Sequence, residues 1–274
     1  MLSYNDIVMA SNPLVMGILN TTPDSFFDGG RYCKKNAVLQ RAKQIIEEGA
    51  DIIDIGGYSS RPNAEHISVE EEKKRLAPNI ELLLKNFPDI TISVDTFRAE
   101  IADFLAENYN IAIINDISGG EMDEKMFETA ARLDICYILM HMRGTPKTMQ
   151  QLNIYNNVTE DVLNYLRERI ETLNAMGVKK IIIDPGFGFA KDTEQNYELL
   201  KNLRQFAALN YPILAGLSRK SMLYKTLGNT PADCLNATTA ANTMALMNGA
   251  KILRVHDVKE AKETITIFQK YQGL

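Results

Sequence analysis

Eight times along this chain a short, unbroken apolar run stops at a polar, charged or glycine residue, and a stretch with helical spacing usually follows. The runs fall at 14–19, 52–55, 91–94, 111–114, 136–140, 181–183, 213–215 and 252–255. Runs that are continuous rather than alternating fit parallel strands buried on both faces. Between them, 37–49 sets Val38, Ala42, Ile45 and Ile46 on one face and stops at Gly49, a residue suited to ending a helix. Ser68 before Val69-Glu70-Glu71 reads as a capping box opening a helix to about Leu84. Further helical spacing covers 159–176, stopping at Gly177, then 237–247, ending near Gly249, and 258–271. Strands alternating with helices imply right-handed parallel crossovers, and eight such units predict closure. The expected fold is therefore α/β, a single-domain (β/α)₈ TIM barrel over residues 1–274, a length that suits one such barrel. An open doubly wound sheet is the competing architecture, but it calls for a nucleotide fingerprint. Gly186-Phe187-Gly188 lacks the third glycine, and no Walker A sequence occurs.

A net charge of −5 leaves no basic footprint, so no nucleic-acid partner is expected. No run approaches the ~18 apolar residues of a membrane span, so no membrane partner is expected either. Met1-Leu2-Ser3-Tyr4-Asn5-Asp6 lacks a basic segment followed by a long apolar run, and no signal peptide is expected. Cys33, Cys136 and Cys234 are odd in number and far apart, with neither zinc nor disulfide spacing. They read as reduced thiols of a cytoplasmic protein.

In a barrel of this kind the carboxyl ends of the strands build the active site. Those ends carry Asn20; Asp54, Gly56 and Gly57; Asp95; Asn115 and Asp116; Met140, His141 and Arg143; Asp184; Gly216, Ser218, Arg219 and Lys220; and Arg254, His256 and Asp257. Asp95, Asn115 and Asp184 suit a flat heterocycle bearing N–H donors. Asn20, Arg254 and His256 suit an anion, and Asn20 also suits a hard cation. Plainer readings stand beside these. Asp184 before Pro185 is either a ligand or a helix N-cap. Asp54 and Asp116 read as structural, bonding loop backbone. His141 is either a site group or a satisfied core histidine, and Arg143 reads as a surface residue. Cations at 219–220 oppose a helix dipole, which points to a ligand or an acidic partner. Glu70-Glu71-Glu72-Lys73-Lys74-Arg75 reads as an exposed helix face laced with opposite charges. The connections 20–36, 56–67 and 141–158 are long, and the first two are expected to act as lids.

These motifs, in order, resemble the dihydropteroate synthase family nearly end to end. The resemblance rests on Met16-Gly17-Ile18-Leu19-Asn20-Thr21-Thr22-Pro23-Asp24-Ser25-Phe26, Asp51-Ile52-Ile53-Asp54-Ile55-Gly56-Gly57, Ser59-Ser60-Arg61-Pro62 and Ser93-Val94-Asp95-Thr96. It continues through Ile114-Asn115-Asp116-Ile117-Ser118-Gly119-Gly120, Met140-His141-Met142-Arg143-Gly144-Thr145-Pro146, Asp184-Pro185-Gly186-Phe187-Gly188-Phe189, Ser218-Arg219-Lys220 and Arg254-Val255-His256-Asp257-Val258.

The resemblance implies a transferase of folate biosynthesis and a sulfonamide target. Such an enzyme condenses 6-hydroxymethyl-7,8-dihydropterin diphosphate with 4-aminobenzoate through a pterin cation. By the same carry-over, Asp95, Asn115, Met140, Asp184, Phe189, Gly216, Lys220 and Arg254 would hold the pterin. Asn20, Arg254 and His256 would meet the diphosphate, with Asn20 as the Mg²⁺ ligand. Phe26, Ser60, Arg61, Pro62, Phe189, Lys220 and Ser221 would form the aminobenzoate pocket. Asp95, Asp184, Lys220, Arg254 and His256 would carry the catalysis, in a homodimer. Tyr58 stands where that family usually has Glu, Ser60 where it has Thr, and Asn63 where Gly is frequent. The alternatives within reach are a pterin-dependent methyltransferase and a pterin-binding paralogue without catalysis.

Overall fold

The structure, a computed structural model, describes residues 1–21, 31–59 and 66–273, and the side chains of all of these except 31–35. The strands are β1 (Leu14–Asn20), β2 (Ile52–Gly56), β3 (Thr91–Asp95), β4 (Ile113–Asp116), β5 (Cys136–Met140), β6 (Ile181–Asp184), β7 (Leu214–Ala215) and β8 (Ile252–Val255). They pair in parallel in the order β6-β5-β4-β3-β2-β1-β8-β7. A parallel bridge between Ile183 and Ile213 brings the two ends of the sheet together. The eight strands thus form a nearly closed barrel, as the alternation of runs predicts.

Helices surround it: α1 (Tyr4–Met9), α2 (Arg31–Glu47), α3 (Val69–Asn86), α4 (Ala99–Asn108), α5 (Met126–Leu133), α6 (Val158–Ala175), α7 (Thr193–Lys201), α8 (Ser221–Leu227), α9 (Leu235–Met247) and α10 (Val258–Gln272). The three glycines read as helix stops, Gly49, Gly177 and Gly249, have φ of +95°, +93° and +93°. These are left-handed values that a side chain resists.

Several local expectations need correction. The fourth apolar run begins at 111, but β4 begins at Ile113, because the Ile111 N–H turns back to the Tyr109 carbonyl. Helix α2 starts six residues before Ala37, at Arg31. Ser68 caps α3 by accepting from the Glu71 N–H at 3.2 Å, yet only half of the capping box forms. The Glu71 carboxylate turns instead to Arg75 at 2.8 Å. The charged run 70–75 is not wholly solvated either: Glu72 is fully buried and pairs with Arg98 at 2.6 Å and Thr96 at 2.8 Å.

Side chains alternate across the strands, and this places the site. Val15, Ile53, Ile55, Ile92, Val94, Ile114, Tyr137, Leu139, Ile183 and Leu253 face outward into the layer shared with the helices. Met16, Ile52, Ile113, Ile138, Ile182, Leu214 and Ile252 face inward as an apolar floor, which Ile7 of α1 joins from below. Two residues further along those strands stand Ile18, Asp54, Asn115, Met140, Asp184, Gly216 and Arg254. The next inward layer is therefore mostly polar, and it sits at the carboxyl end.

Candidate active site

The polar layer is organised around Asp54 of β2. Its buried carboxylate accepts from Ser93 Oγ at 2.7 Å, Asn115 Nδ2 at 3.0 Å and Arg254 Nε at 2.7 Å. The structural reading of Asp54 holds, but its partners are side chains of three other strands rather than loop backbone. Arg254 completes a second ion pair with Asp95 Oδ2 at 2.8 Å. Burial pushes the Asp95 carboxyl up, Arg254 opposes this, and nearby Asp54 adds to the rise. Asp116 bonds its own loop, as expected, through the Ser118 N–H and hydroxyl and the Gly120 N–H, and also takes the Tyr137 hydroxyl at 2.6 Å.

Asp184 does not cap a helix. Its Oδ1 accepts the Gly186 N–H at 2.7 Å, and the next helix is capped by Asp192. Burial raises its carboxyl, offset by that N–H and by Lys220, Arg254 and Lys191. The two cations at 219–220 part ways. Arg219 reaches the acidic partner the dipole argument asks for, forking onto Asp257 at 3.0 and 2.6 Å. Lys220 turns inward, with Nζ 4.3 Å from the centre of the Phe189 ring. Burial and Arg254 bring Lys220 down to about 8, against the pull of Asp184 and Asp95.

Asp95, Asn115, Met140, Asp184, Phe189, Gly216, Lys220 and Arg254 all line one hollow, together with Ile117 and Phe187. All eight positions carried over for the pterin thus converge. Ile117 and Phe187 stand inside the quoted motifs but have no role toward the site in the sequence reading. At the rim, His256 bonds Ser218 twice: its N–H donates to Ser218 Oγ at 3.1 Å, and its Nδ1 lies 3.2 Å from the same oxygen. A hydroxyl gives one proton and accepts two, so Oγ can serve either tautomer of the ring. Burial and the charge of Arg254 lower the imidazole to about 4, so it stays neutral. Ser221 opens α8 directly after Lys220.

His141 resolves as a core histidine, 1% exposed and 2.9 Å from Lys191 Nζ through Nδ1. Arg143 lies over the Tyr155 ring at 3.9 Å and pairs with Asp161 at 3.2 Å. Tyr58 packs edge-on against Phe97 at 5.0 Å, and its hydroxyl lies 3.2 Å from His66 Nδ1. Phe26, Ser60, Arg61, Pro62 and Asn63 lie outside the described residues, as do most of the first loop and the middle of the second. Among the described residues no three His, Cys, Asp or Glu side chains gather around a metal position. Asn20, half-buried at the end of β1, offers one hard oxygen; a Cβ on Gly56 would stand 3.7 Å from it. A single oxygen fits a magnesium ion ligated chiefly by phosphate and water.

A pterin binding enzyme model matches residues 16–256. The dihydropteroate synthase of Haemophilus influenzae is 42% identical over 267 residues, covering 97% of this chain and 96% of that one. The chain belongs to the dihydropteroate synthase family. Solved members of that family share its fold. Yersinia pestis dihydropteroate synthase, crystallised with a sulfonamide drug complex, superposes with a TM-score of 0.90 at 39% identity, covering 96% of each chain. Xanthomonas albilineans dihydropteroate synthase in complex with 7,8-dihydropteroate superposes with a TM-score of 0.86 at 36% identity, covering 96% of this chain and 95% of that one. No helix among the described residues is long and apolar enough to cross a membrane.

Proposed function

We propose that this chain joins 6-hydroxymethyl-7,8-dihydropterin diphosphate to 4-aminobenzoate, releasing 7,8-dihydropteroate and diphosphate. The observation that carries the reading is the hollow in which Asp95, Asn115, Asp184 and Lys220 face one another beside Arg254. The 2-amino and ring N–H edge of a pterin presents paired donors, which match the carboxylate of Asp184 and the oxygen of Asn115. Its oxo group and ring nitrogen need a donor, which Lys220 supplies.

In this reading the bond from the pterin methylene to the diphosphate oxygen breaks first, and its electron pair leaves with the diphosphate. The resulting cation is delocalised into the ring, where Asp95 and Asp184 stabilise it. The arylamine nitrogen then donates its lone pair to the methylene carbon and loses a proton. No enzyme nucleophile is required. At the rim, Arg254 and the neutral imidazole of His256 face the departing diphosphate. Asn20 would hold Mg²⁺, which when bound supplies positive charge to that leaving group. Phe26, Ser60, Arg61, Pro62, Phe189 and Ser221 would receive the aminobenzoate, with Ser221 offering a hydroxyl and a helix N-terminus to its carboxylate.

A turnover assay with both substrates, with and without Mg²⁺, tests this. Metal-dependent 7,8-dihydropteroate is the expected product. Tight binding of the pterin diphosphate with no product would overturn the catalytic reading and leave a pterin-binding paralogue.

A further inference from the structure

The loop after β6 walls the pterin hollow with Phe187 and Phe189, yet its backbone is unusual. Gly186, Gly188 and Ala190 have φ of +72°, +78° and +50°. Gly186 also presses on the end of β5: a Cβ there would stand 2.0 Å from the His141 carbonyl oxygen. The glycines adopt such values freely, but Ala190 is held where its side chain resists, and such a loop keeps one shape only when its surroundings over-determine it. Three buried side chains do so. Asp184 takes the Gly186 N–H and Asn196 takes the Gly188 N–H at 2.7 Å. The third is Lys191, 8% exposed. Its Nζ reaches the Gly186 carbonyl at 2.9 Å, the Phe189 carbonyl at 3.0 Å and His141 Nδ1 at 2.9 Å.

An ammonium has three protons, and here it has three acceptors. A neutral amine would give its two protons to the carbonyls and could meet His141 only by accepting from the Nδ1–H tautomer. Facing the ammonium, His141 is the Nε2–H tautomer, an imidazole that burial and the neighbouring charges of Lys191 and Arg143 hold far below its usual protonation range. We propose that Lys191 is a positioning residue for the pterin: its buried ammonium fastens the loop after β6 to the end of β5, sets Phe187 and Phe189 against the hollow, and places a positive charge behind Asp184. The inference rests on the pterin reading of the hollow.

The charge matters because Asp184 must be ionised to accept from the ring. Lys220 after β7, Arg254 of β8 and Lys191 support that ionisation. Asp95 of β3 lines the same hollow and opposes it by like charge. Burial, with the charges of Lys220 and Arg143, brings Lys191 down to about 7, and Asp184 pulls it back up; below that pH its ammonium stands beside Asp184. Removing Lys191 therefore shifts Asp184 toward protonation, and pterin affinity fails at a higher pH than in the parent chain.

The test measures pterin diphosphate binding by calorimetry from pH 5 to 8.5, well below the unfolding midpoint, for the parent chain, Lys191→Met and Lys191→Gln. Lys191→Met is expected to bind at least about tenfold more weakly at pH 7.5. Its acid limb is expected to move up by about one pH unit. Lys191→Gln keeps two donors without the charge, so part of the affinity returns while the shifted limb persists. It also carries the test if Lys191→Met does not fold. If the variants bind within twofold of the parent with an unmoved limb, whatever their thermal midpoints, Lys191 serves the fold alone and the proposal fails. A parent chain that does not bind the pterin overturns the reading of the hollow, and this inference with it.

Discussion

Asp54 offers a sharp test of how the polar layer is held. Its Oδ1 faces one donor, Ser93, and its Oδ2 faces two, Asn115 and Arg254. An asparagine can reproduce this pattern: its oxygen accepts from Asn115 and Arg254, and its NH₂ donates to Ser93 Oγ, whose hydroxyl rotates to accept. Asp54→Asn therefore removes charge and displaces only the Ser93 proton, while Asn115 and Arg254 keep their acceptor. Arg254 keeps its pair with Asp95, so the cost is about 1–2 kcal/mol. Asp54→Ala orphans all three donors in a buried layer. Two neutral donors cost about 1 kcal/mol each, and a guanidinium stripped of one of two carboxylates adds about 2–3 kcal/mol, for a total near 4–5 kcal/mol. That is a large share of the ~5–15 kcal/mol by which a domain is stable. Urea unfolding of the three proteins at pH 7.5 measures the difference, read from midpoints at constant slope. If Asp54→Ala comes within about 1 kcal/mol of Asp54→Asn, the donors find other partners, and Asp54 is not the hub its geometry describes.

Three further outcomes follow from the geometry. Asp184→Asn keeps the Gly186 N–H through its amide oxygen, so its thermal midpoint should change little. Its pterin affinity should drop by about 2–4 kcal/mol in calorimetry, and an unchanged affinity would count against the ring assignment. Lys220 is charged below its value of about 8, so kcat/KM for the pterin diphosphate should decline as pH rises above about 8. Lys220→Arg should push that alkaline limb beyond the measured range, and a limb that stays put belongs to another group. Gly186→Ala must place a Cβ 2.0 Å from a backbone oxygen at φ +72°. It should lower the thermal midpoint and weaken pterin binding together; full pterin affinity in the folded variant would show that the hollow tolerates movement of the loop.

The barrel was legible because parallel strands buried on both faces leave unbroken apolar runs, and because each run stops where chemistry begins. Asp95, Asn115, Asp184 and Arg254 could be placed at the mouth from that rule alone. Their roles toward a pterin came from the family resemblance. What stayed hidden was non-local. Glu72 sits in a charge run that reads as a wet helix face, and only Arg98 and Thr96, brought over by β3, make its burial tolerable. Lys191 follows a glycine-rich turn and looks like any loop lysine. Two of its acceptors are backbone carbonyls, and the third is a histidine fifty positions earlier. Asp54 reads as one more loop-bonding aspartate, because no local pattern announces that Ser93, Asn115 and Arg254 lie at its height.

The two inward tiers of the barrel divide labour by a step of two residues. The lower tier, from Met16 to Ile252, is hydrocarbon and sealed from beneath by α1. The upper tier, from Asp54 to Arg254, is where the chemistry stands. A substitution in the upper tier rewrites what the cup recognises without opening a void in the plug below. A one-residue slip of any strand would instead exchange the tiers with the helix-facing layer, sinking carboxylates into the hydrocarbon and lifting Ile or Val to the mouth. Ligand preference and strand register are thus separately editable: the first can change at upper-tier positions other than the Asp54 hub, and the second at none.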